Sequence, residues 1–258
     1  MVHLDHPFMA NDDLTGVAAM IDIAKELKDR KLYFTYKFLF VPETIGSIAF
    51  LSRNENLIKH LKYGLFLEML GNDNTLVLQF SKQGNTRIDR IAKFVIKKET
   101  QNHREGEFRK IVANDEMVFN EPGVNIPMIS ISRYPYDEYP TSEDTPDIIK
   151  DDKMQEAKKI ILEIINIIDN AYTPKRKFKC PVFLSGMGLW VDWRKNLTLN
   201  QKMEDIMLNM EGDKSIFDIS EELDLDFKDD LDIIEKYHDK DLIKKYLVIN
   251  RMYQTFLF

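Results

Sequence analysis

From Leu14 to Lys28 the apolar residues Val17, Met20, Ile21, Ala24 and Leu27 recur at spacings of three and four, the pattern of a helix with one buried stripe. Asp12, Asp13 and Thr15 stand at its start, where side-chain oxygens can satisfy the free amides of a first turn. Residues 32–41, LYFTYKFLFV, are dense in aromatic and β-branched side chains and predict a buried strand. TIGSIAFLSRN then predicts a helix entered directly from that strand. Further on, YGLFLEML, TLVLQFSK and VNIPMISISR (124–133) predict strands, and RIDRIAKFVIKK predicts a helix. An acidic, turn-rich stretch runs through Asp152, and a long helix is expected from Lys153 to Asn170. Strands alternating with helices predict an α/β fold, a mixed or largely parallel sheet flanked by helices.

The pattern changes at YTPKRKFKCP (172–181), which is basic and bounded by prolines. Beyond it NLTLNQKMEDIMLNM, SIFDISEELDL and FKDDLDIIEKYHDKDLI predict three short helices, and KKYLVINRMYQTF one or two strands. Three helices and a β-wing predict a small winged-helix-like module. The expected organisation is an α/β domain over 1–172, a linker over 173–197 and the module over 198–258. Such modules commonly contact DNA, but the third helix here carries Asp229, Asp230, Asp232 and Glu235. Those carboxylates would repel phosphate, which favours protein contact over DNA.

Composition narrows the classes. A chain of 258 residues with 44% hydrophobic and 31% charged positions fits a soluble globular protein. The formal net charge of -7 disfavours a nucleic-acid coat. Cys180 is the single cysteine and cannot form an internal disulfide, no leader pattern opens the chain, and no apolar run approaches the roughly 20 residues of a membrane span. A cytoplasmic protein with no membrane partner is the expectation.

The chemistry concentrates at the start. VHLDHPFMANDD places two histidines and three aspartates within residues 2–13. A strand ending near His3 would put His6 and Asp12 in a loop at its carboxyl end, where α/β folds gather reactive groups. Imidazole with carboxylate is ligand chemistry that zinc accepts. The plainer alternative keeps Asp12 and Asp13 as helix caps and His6 as a turn residue. In FLFVPETIGS, Glu43 lies between strand and helix, a place suited to a general base and equally to a surface carboxylate favoured by the helix dipole. Asp115 and Glu116 precede a loop and strand, and RYPYDEYPTSEDTPD (133–147) either lines a pocket or is solvated.

Taken together, HPFMANDDLTG, FLFVPETIGSIAFLSRNE, NDEMVFNEPGVNIPMISISR and DEYPTSEDTPDII, followed by SIFDISEELDL, resemble the aminopeptidase-like relatives of the zinc aminopeptidases, which also carry a C-terminal winged-helix domain. The resemblance covers nearly the whole chain. It implies a metal-bridging aspartate at Asp12, with Asp13 the alternative, and further ligands at His6 and Asp115, with His3 and Glu116 as rivals. It implies Glu43 as either the general base or a ligand of the second metal, since Thr44 stands where relatives have a second glutamate, and the base is the favoured role. The family's Tyr-His-Thr-Ser-x-Asp reads Tyr139-Pro140-Thr141-Ser142-Glu143-Asp144, so the final histidine ligand is replaced by proline. The implied protein is a one-zinc amide hydrolase acting on a peptide or an N-acylated small molecule; by location Arg133 or Tyr139 is a candidate to position substrate, and each is equally a structural residue. Pro140 supports a competing expectation, a catalytically degenerate relative serving as a scaffold or interaction module. Relatives also have a substantial portion ahead of the first ligand loop, which implies an N-terminally truncated form with sheet edges open to a second copy.

Overall fold

The apolar runs become strands whose partners decide how deeply each is buried. In the computed structural model, which describes residues 1–246 and 255–258, the chain divides into two units, Met1–Ile165 with Met252–Phe258, and Asn166–Arg251. The first unit contains β1 (Val2–His3), α1 (Leu14–Leu27), β2 (Thr35–Lys37), β3 (Phe40–Val41), α2 (Ile45–Arg53), α3 (Glu55–Ile58), β4 (Leu61–Leu67), β5 (Leu76–Gln79) and α4 (Arg87–Glu99). It continues with β6 (His103–Gly106), α5 (Asp115–Asn120), β7 (Met128–Ser132) and most of α6 (Asp151–Asn170). The second contains β8 (Thr173–Arg176), α7 (Leu197–Leu208), α8 (Ile216–Leu223), α9 (Phe227–Asp239) and β9 (Ile243–Tyr246), and β10 (Thr255–Leu257) returns to the first.

Six strands make the central sheet in the order β2-β10-β4-β7-β5-β6. Every pairing is parallel except β5 against β7. Helices flank this mostly parallel sheet, giving the mixed α/β class expected. Strands β5 and β7 are buried at every position, as strands covered on both faces must be. One apolar cluster joins Met1, Leu51, Phe66, Phe119, Met128 and Leu257. Helix α4 buries Ile88, Ile91, Ala92, Val95 and Ile96, the spacing of a single stripe. Its start is fixed by Asp89, which accepts the amide and hydroxyl of both Ser81 and Thr86 at 2.7 Å.

The single strand expected over 32–41 is two short ones. Strand β2 pairs with β10, whereas β3 pairs with β1, so the chain changes partner near Leu39. Leu39 itself donates its amide to Phe258 O at 2.7 Å. Apolar density alone does not reveal such a switch. Strand β6, HREG, carries no apolar alternation because it lies at the sheet edge and is partly exposed.

In the second unit, Ser215 and Asp218 form a reciprocal cap that starts α8, and Asp226 accepts the amides of Lys228 and Asp229 to start α9. Ile216, Phe217, Ile219, Ile233, Ile234 and Tyr237 form its apolar interior. The expected wing divides. Strand β9 pairs antiparallel with β8, inside the stretch expected to be linker, and β10 joins the central sheet. The rest of the expected wing, 247–254, lies outside the described residues. Among the described residues no helix is long and apolar enough to cross a membrane.

Asp230 is fully buried on α9 and accepts the Ser220 hydroxyl at 2.7 Å. Burial pushes its carboxyl up to about 7, against the Ser220 bond that lowers it, with Asp229 and Asp226 adding to the rise. The folded state therefore holds a proton that an unfolded aspartate releases near its ordinary 3.8. Stability of this unit is fullest below that value, falls as pH rises toward 7, and is flat above. Asp230→Asn is expected to remove this fall, worth about 1–3 kcal/mol. Amide-exchange protection of α8 and α9 between pH 4.5 and pH 8 checks it: the wild type loses protection free energy across that window and the variant does not.

Candidate metal centre

Strands β1 and β3 run parallel in register, Val2 opposite Phe40 and His3 opposite Val41, so the segments leaving their carboxyl ends emerge side by side. Met1 also exchanges backbone bonds with Leu65 and Leu67 of β4, which brings a third strand end to the same place. One emerging segment carries Asp5, His6, Asp12 and Asp13 into α1, and the other carries Glu43 and Thr44 into α2. Two carboxylates hold the second turn. The Glu43 amide donates to Asp5 Oδ2 at 2.8 Å and the Thr44 amide to Asp115 Oδ1 at 3.0 Å, while the Ser47 hydroxyl also donates to Asp115 Oδ1. Thr44 sits at φ 54, a left-handed conformation that costs a β-branched residue energy and is sustained only by such surroundings.

The carboxylate of Asp12 spans two imidazoles. Its Oδ1 is 3.0 Å from His3 Nε2 and its Oδ2 is 3.8 Å from His6 Nε2. His6 Nε2 is also 3.2 Å from Glu43 Oε2, and the two rings meet edge to face with centroids 5.0 Å apart. One donor atom each from His3, Asp5, His6 and Glu43 lies within 4.8 Å of the others. On its far side His3 Nδ1 faces Asp115 Oδ2 at 3.4 Å. Burial opposes a charge on His3, but the bonds to Asp115 and Asp12 and the charge of Asp13 prevail and push it up to about 11. Both of its ring nitrogens face carboxylates.

More acid lies beneath. Asp13 accepts the amides of Gly16 at 3.0 Å and Met69 at 3.1 Å, tying the start of α1 to the end of β4. A side chain at Gly16 would place Cβ 2.4 Å from Asp13 Oδ1, so the Leu14-Thr15-Gly16 sequence is what lets Asp13 cap. Glu68, just past β4, accepts Asn114 Nδ2 at 3.0 Å, and burial with the charges of Glu116 and Asp13 pushes its carboxyl well up. Glu116 accepts Gln79 Nε2 at 3.0 Å and is pushed up by burial to about 7. Asp12, Asp13, Glu68, Asp115 and Glu116 are each at most 3% exposed, and His3 is the charged side chain facing them.

This donor set fits a cation. Burying carboxylates without compensation is costly, and burial pushes the carboxyls of Asp13, Glu68 and Glu116 up accordingly. Asp13 Oδ2 is buried without a hydrogen bond, and His3 Nδ1 and Asp115 Oδ2 find only each other, at 3.4 Å. Two imidazole nitrogens beside a carboxylate are borderline-soft ligands suited to zinc.

The residues expected from sequence separate into three groups. His3, His6, Asp12 and Glu43 converge. Asp115 reaches the cluster through His3, while Asp13 and Glu116 hold backbone amides and neighbouring side chains. Arg133 is only 1% exposed and spends its guanidinium on Leu70 O, Asn74 O and Glu156. Tyr139 is half-buried and packs its ring against Tyr134 and Tyr136, and burial with the charges of Asp12, Glu43 and Glu68 pushes its phenol up. Glu68 and Asp5 were not expected. A glutamate embedded in GLFLEML was the available signal for Glu68, since a carboxylate inside an apolar strand is buried for a reason.

The family described as a domain of unknown function, DUF4910, matches residues 1–171. A polysaccharide biosynthesis protein with an aminopeptidase-like domain from Clostridium acetobutylicum is 34% identical over 229 residues, 86% of this chain and 52% of that protein. The chain therefore spans about half the length of that curated relative. A solved structure named as a peptidase, also from Clostridium acetobutylicum, superposes with TM-score 0.86 at 31% identity, covering 95% of this chain and 56% of the other. A zinc aminopeptidase from Bacillus subtilis shares the fold, with TM-score 0.52 at 17% identity over 65% of this chain and 44% of that one.

Removing His3 leaves Asp12 and Asp115 buried with no cation between them. In chelator-treated protein, His3→Gln is expected to cost about 3–5 kcal/mol, the loss typical of orphaning a buried ion. Urea denaturation measures it, and an unchanged midpoint would mean the two carboxyls are neutral.

Proposed function

The chain belongs to the DUF4910 family, and on that premise we propose that it is a zinc-dependent amide hydrolase of the aminopeptidase-like type. The observation that carries the reading is the convergence of His6 Nε2 on Asp12 Oδ2 and Glu43 Oε2, at 3.8 Å and 3.2 Å, with His3 alongside. Peptidase-like relatives and the fold shared with aminopeptidases support the hydrolase class.

His6, Asp12 and His3 would hold one ion. Asp115 behind His3 Nδ1 matches the carboxylate that commonly orients a ligating imidazole, so we assign it that supporting place in preference to direct ligation. Pro140 offers no donor where relatives have a histidine, which supports one ion. When bound, zinc acidifies water and polarises a carbonyl. Glu43 is half-buried and keeps contact with solvent, so its Oε2 can take a proton from the attacking water and return it to the leaving amine. Tyr139 would be the candidate to donate a hydroxyl to the substrate carbonyl. The substrate is a peptide or an N-acylated small molecule, an acyl-amino acid or an N-acylated sugar among them.

Helices α7, α8 and α9 with the β8–β9 pair support the finer reading of the second unit as a winged-helix-like module that contacts protein. The exposed free thiol of Cys180 supports a reducing compartment. Pro140 favours a second reading, in which the site is degenerate and the chain acts as a scaffold.

Metal analysis of the zinc-loaded, desalted chain decides between them. About one zinc per chain is expected, lost in His6→Ala and Asp12→Asn. Glu43→Gln should keep its zinc while hydrolysis of aminoacyl anilides or N-acetylated sugars falls about 10²-fold or more. Absence of zinc, or a Glu43→Gln variant as fast as its parent, would leave the scaffold reading standing.

A further inference from the structure

Asp144 is fully buried, and every polar contact it makes is with the loop carrying Asp12 or with Tyr136 and its own turn. Its Oδ1 accepts the amides of Ala10 at 3.1 Å and Asn11 at 2.6 Å. Its Oδ2 accepts the amide of Asp12 at 3.2 Å and the Tyr136 hydroxyl at 2.7 Å. Three successive amides converging on one carboxylate form an anion-binding nest, here filled by the protein's own side chain. The opposite side of the loop is pinned as well. Asn11 Oδ1 accepts the Gly71 amide at 2.9 Å, and Asn11 O accepts the Thr15 hydroxyl at 2.7 Å.

Asp144 is itself held by a self-supporting turn. Its amide donates to Thr141 O at 3.3 Å, and the Thr141 amide and hydroxyl donate to Glu138 O at 2.9 and 2.7 Å. This turn contains Pro140. The segment that supplies no metal donor thus supplies a carboxylate to the backbone of the loop that does.

We propose that Asp144 is a positioning residue of the metal centre, clamping the backbone of Ala10, Asn11 and Asp12 so that the Asp12 carboxylate spans His3 and His6. The inference rests on reading that cluster as a metal site. Asp144 touches no reacting group; it acts through Asp12. Asparagine at this position would still accept from Ala10 and Asn11 but would aim an N–H at the Asp12 amide, replacing an acceptor with a donor. Phenylalanine at Tyr136 removes only the phenol bond and leaves the three amide bonds in place.

The test uses the whole chain and two readouts. Zinc affinity is measured by competition with a chromophoric chelator, and amide exchange at Ala10, Asn11 and Asp12 is measured without metal. Asp144→Asn is expected to weaken zinc binding about 10–100-fold and to speed exchange at those amides. Tyr136→Phe should stay close to wild type in both. Ile164→Ala, in the buried face of α6, is the control for plain destabilisation and should leave zinc affinity unchanged. Should Asp144→Asn not fold, Asp144→Glu keeps the charge and displaces it by one methylene, with a loss of about 10-fold expected. Wild-type affinity and exchange in the Asp144 variant would overturn the proposal, as would an equal loss of affinity in Ile164→Ala. A wild-type chain that takes no zinc sinks the metal reading itself. In that case quickened exchange at residues 10–12 in the variant still upholds the clamp, and unchanged exchange overturns it.

Discussion

Buried negative charge around His3 is the constraint on which the first unit depends. Five of its buried carboxyls, Asp12, Asp13, Glu68, Asp115 and Glu116, lie near the ends of β1 and β4 and the starts of α1 and α5, and each must find a proton, an amide or a cation. The solutions are different for each. Asp13 takes the amides of Gly16 and Met69, Asp115 takes Thr44 and Ser47, Glu116 takes Gln79 and Asn114, and Asp12 takes His3. Because these partners belong to different strands and helices, the electrostatic solution is also the tertiary one. Uncompensated, such charge would cost more than a domain's whole stability margin.

That coupling explains the local backbone. Thr44 stays in a left-handed conformation because Asp115 holds its amide, and Gly16 is required because Asp13 occupies the space a side chain would fill. Packing follows from the same placement. Strands β4 and β7 are buried over 64–67 and 128–132, and the buried charged side chains Glu68 and Arg133 follow directly at their carboxyl ends, where parallel folds concentrate reactive groups.

The helices were legible from spacing, because a buried stripe with caps leaves a periodic trace: α1, α2, α4 and α6 each lie within about two residues of the expected spans. Strand identity was less so. LYFTYKFLFV reads as one apolar run, but its halves belong to different ladders, and ladder partners are set by chain reversal elsewhere. The site was half legible. HLDHP and PETIG announce donors in sequence, whereas the role of Asp115 depends on which imidazole nitrogen it meets, a fact of three dimensions. Glu68 was visible as a carboxylate in an apolar run, yet it was read as part of a strand because periodicity weighs burial and not its reason.

The Tyr139–Asp144 segment combines Pro140, which offers no metal donor, with the buried carboxylate of Asp144. Proline at 140 removes a donor from this loop, which on resemblance alone argues for decay. Decay would free the remaining residues from their geometric restraint, and a buried aspartate with no task is costly to keep. Asp144 instead makes bonds to three consecutive amides and a phenol, and those amides lead directly into the carboxylate that spans both histidines. A scaffold needs the loop folded but has no need of Asp12 between two imidazoles. Asp144 thus braces the loop that carries Asp12, which supports the proposed one-ion centre over a bare scaffold.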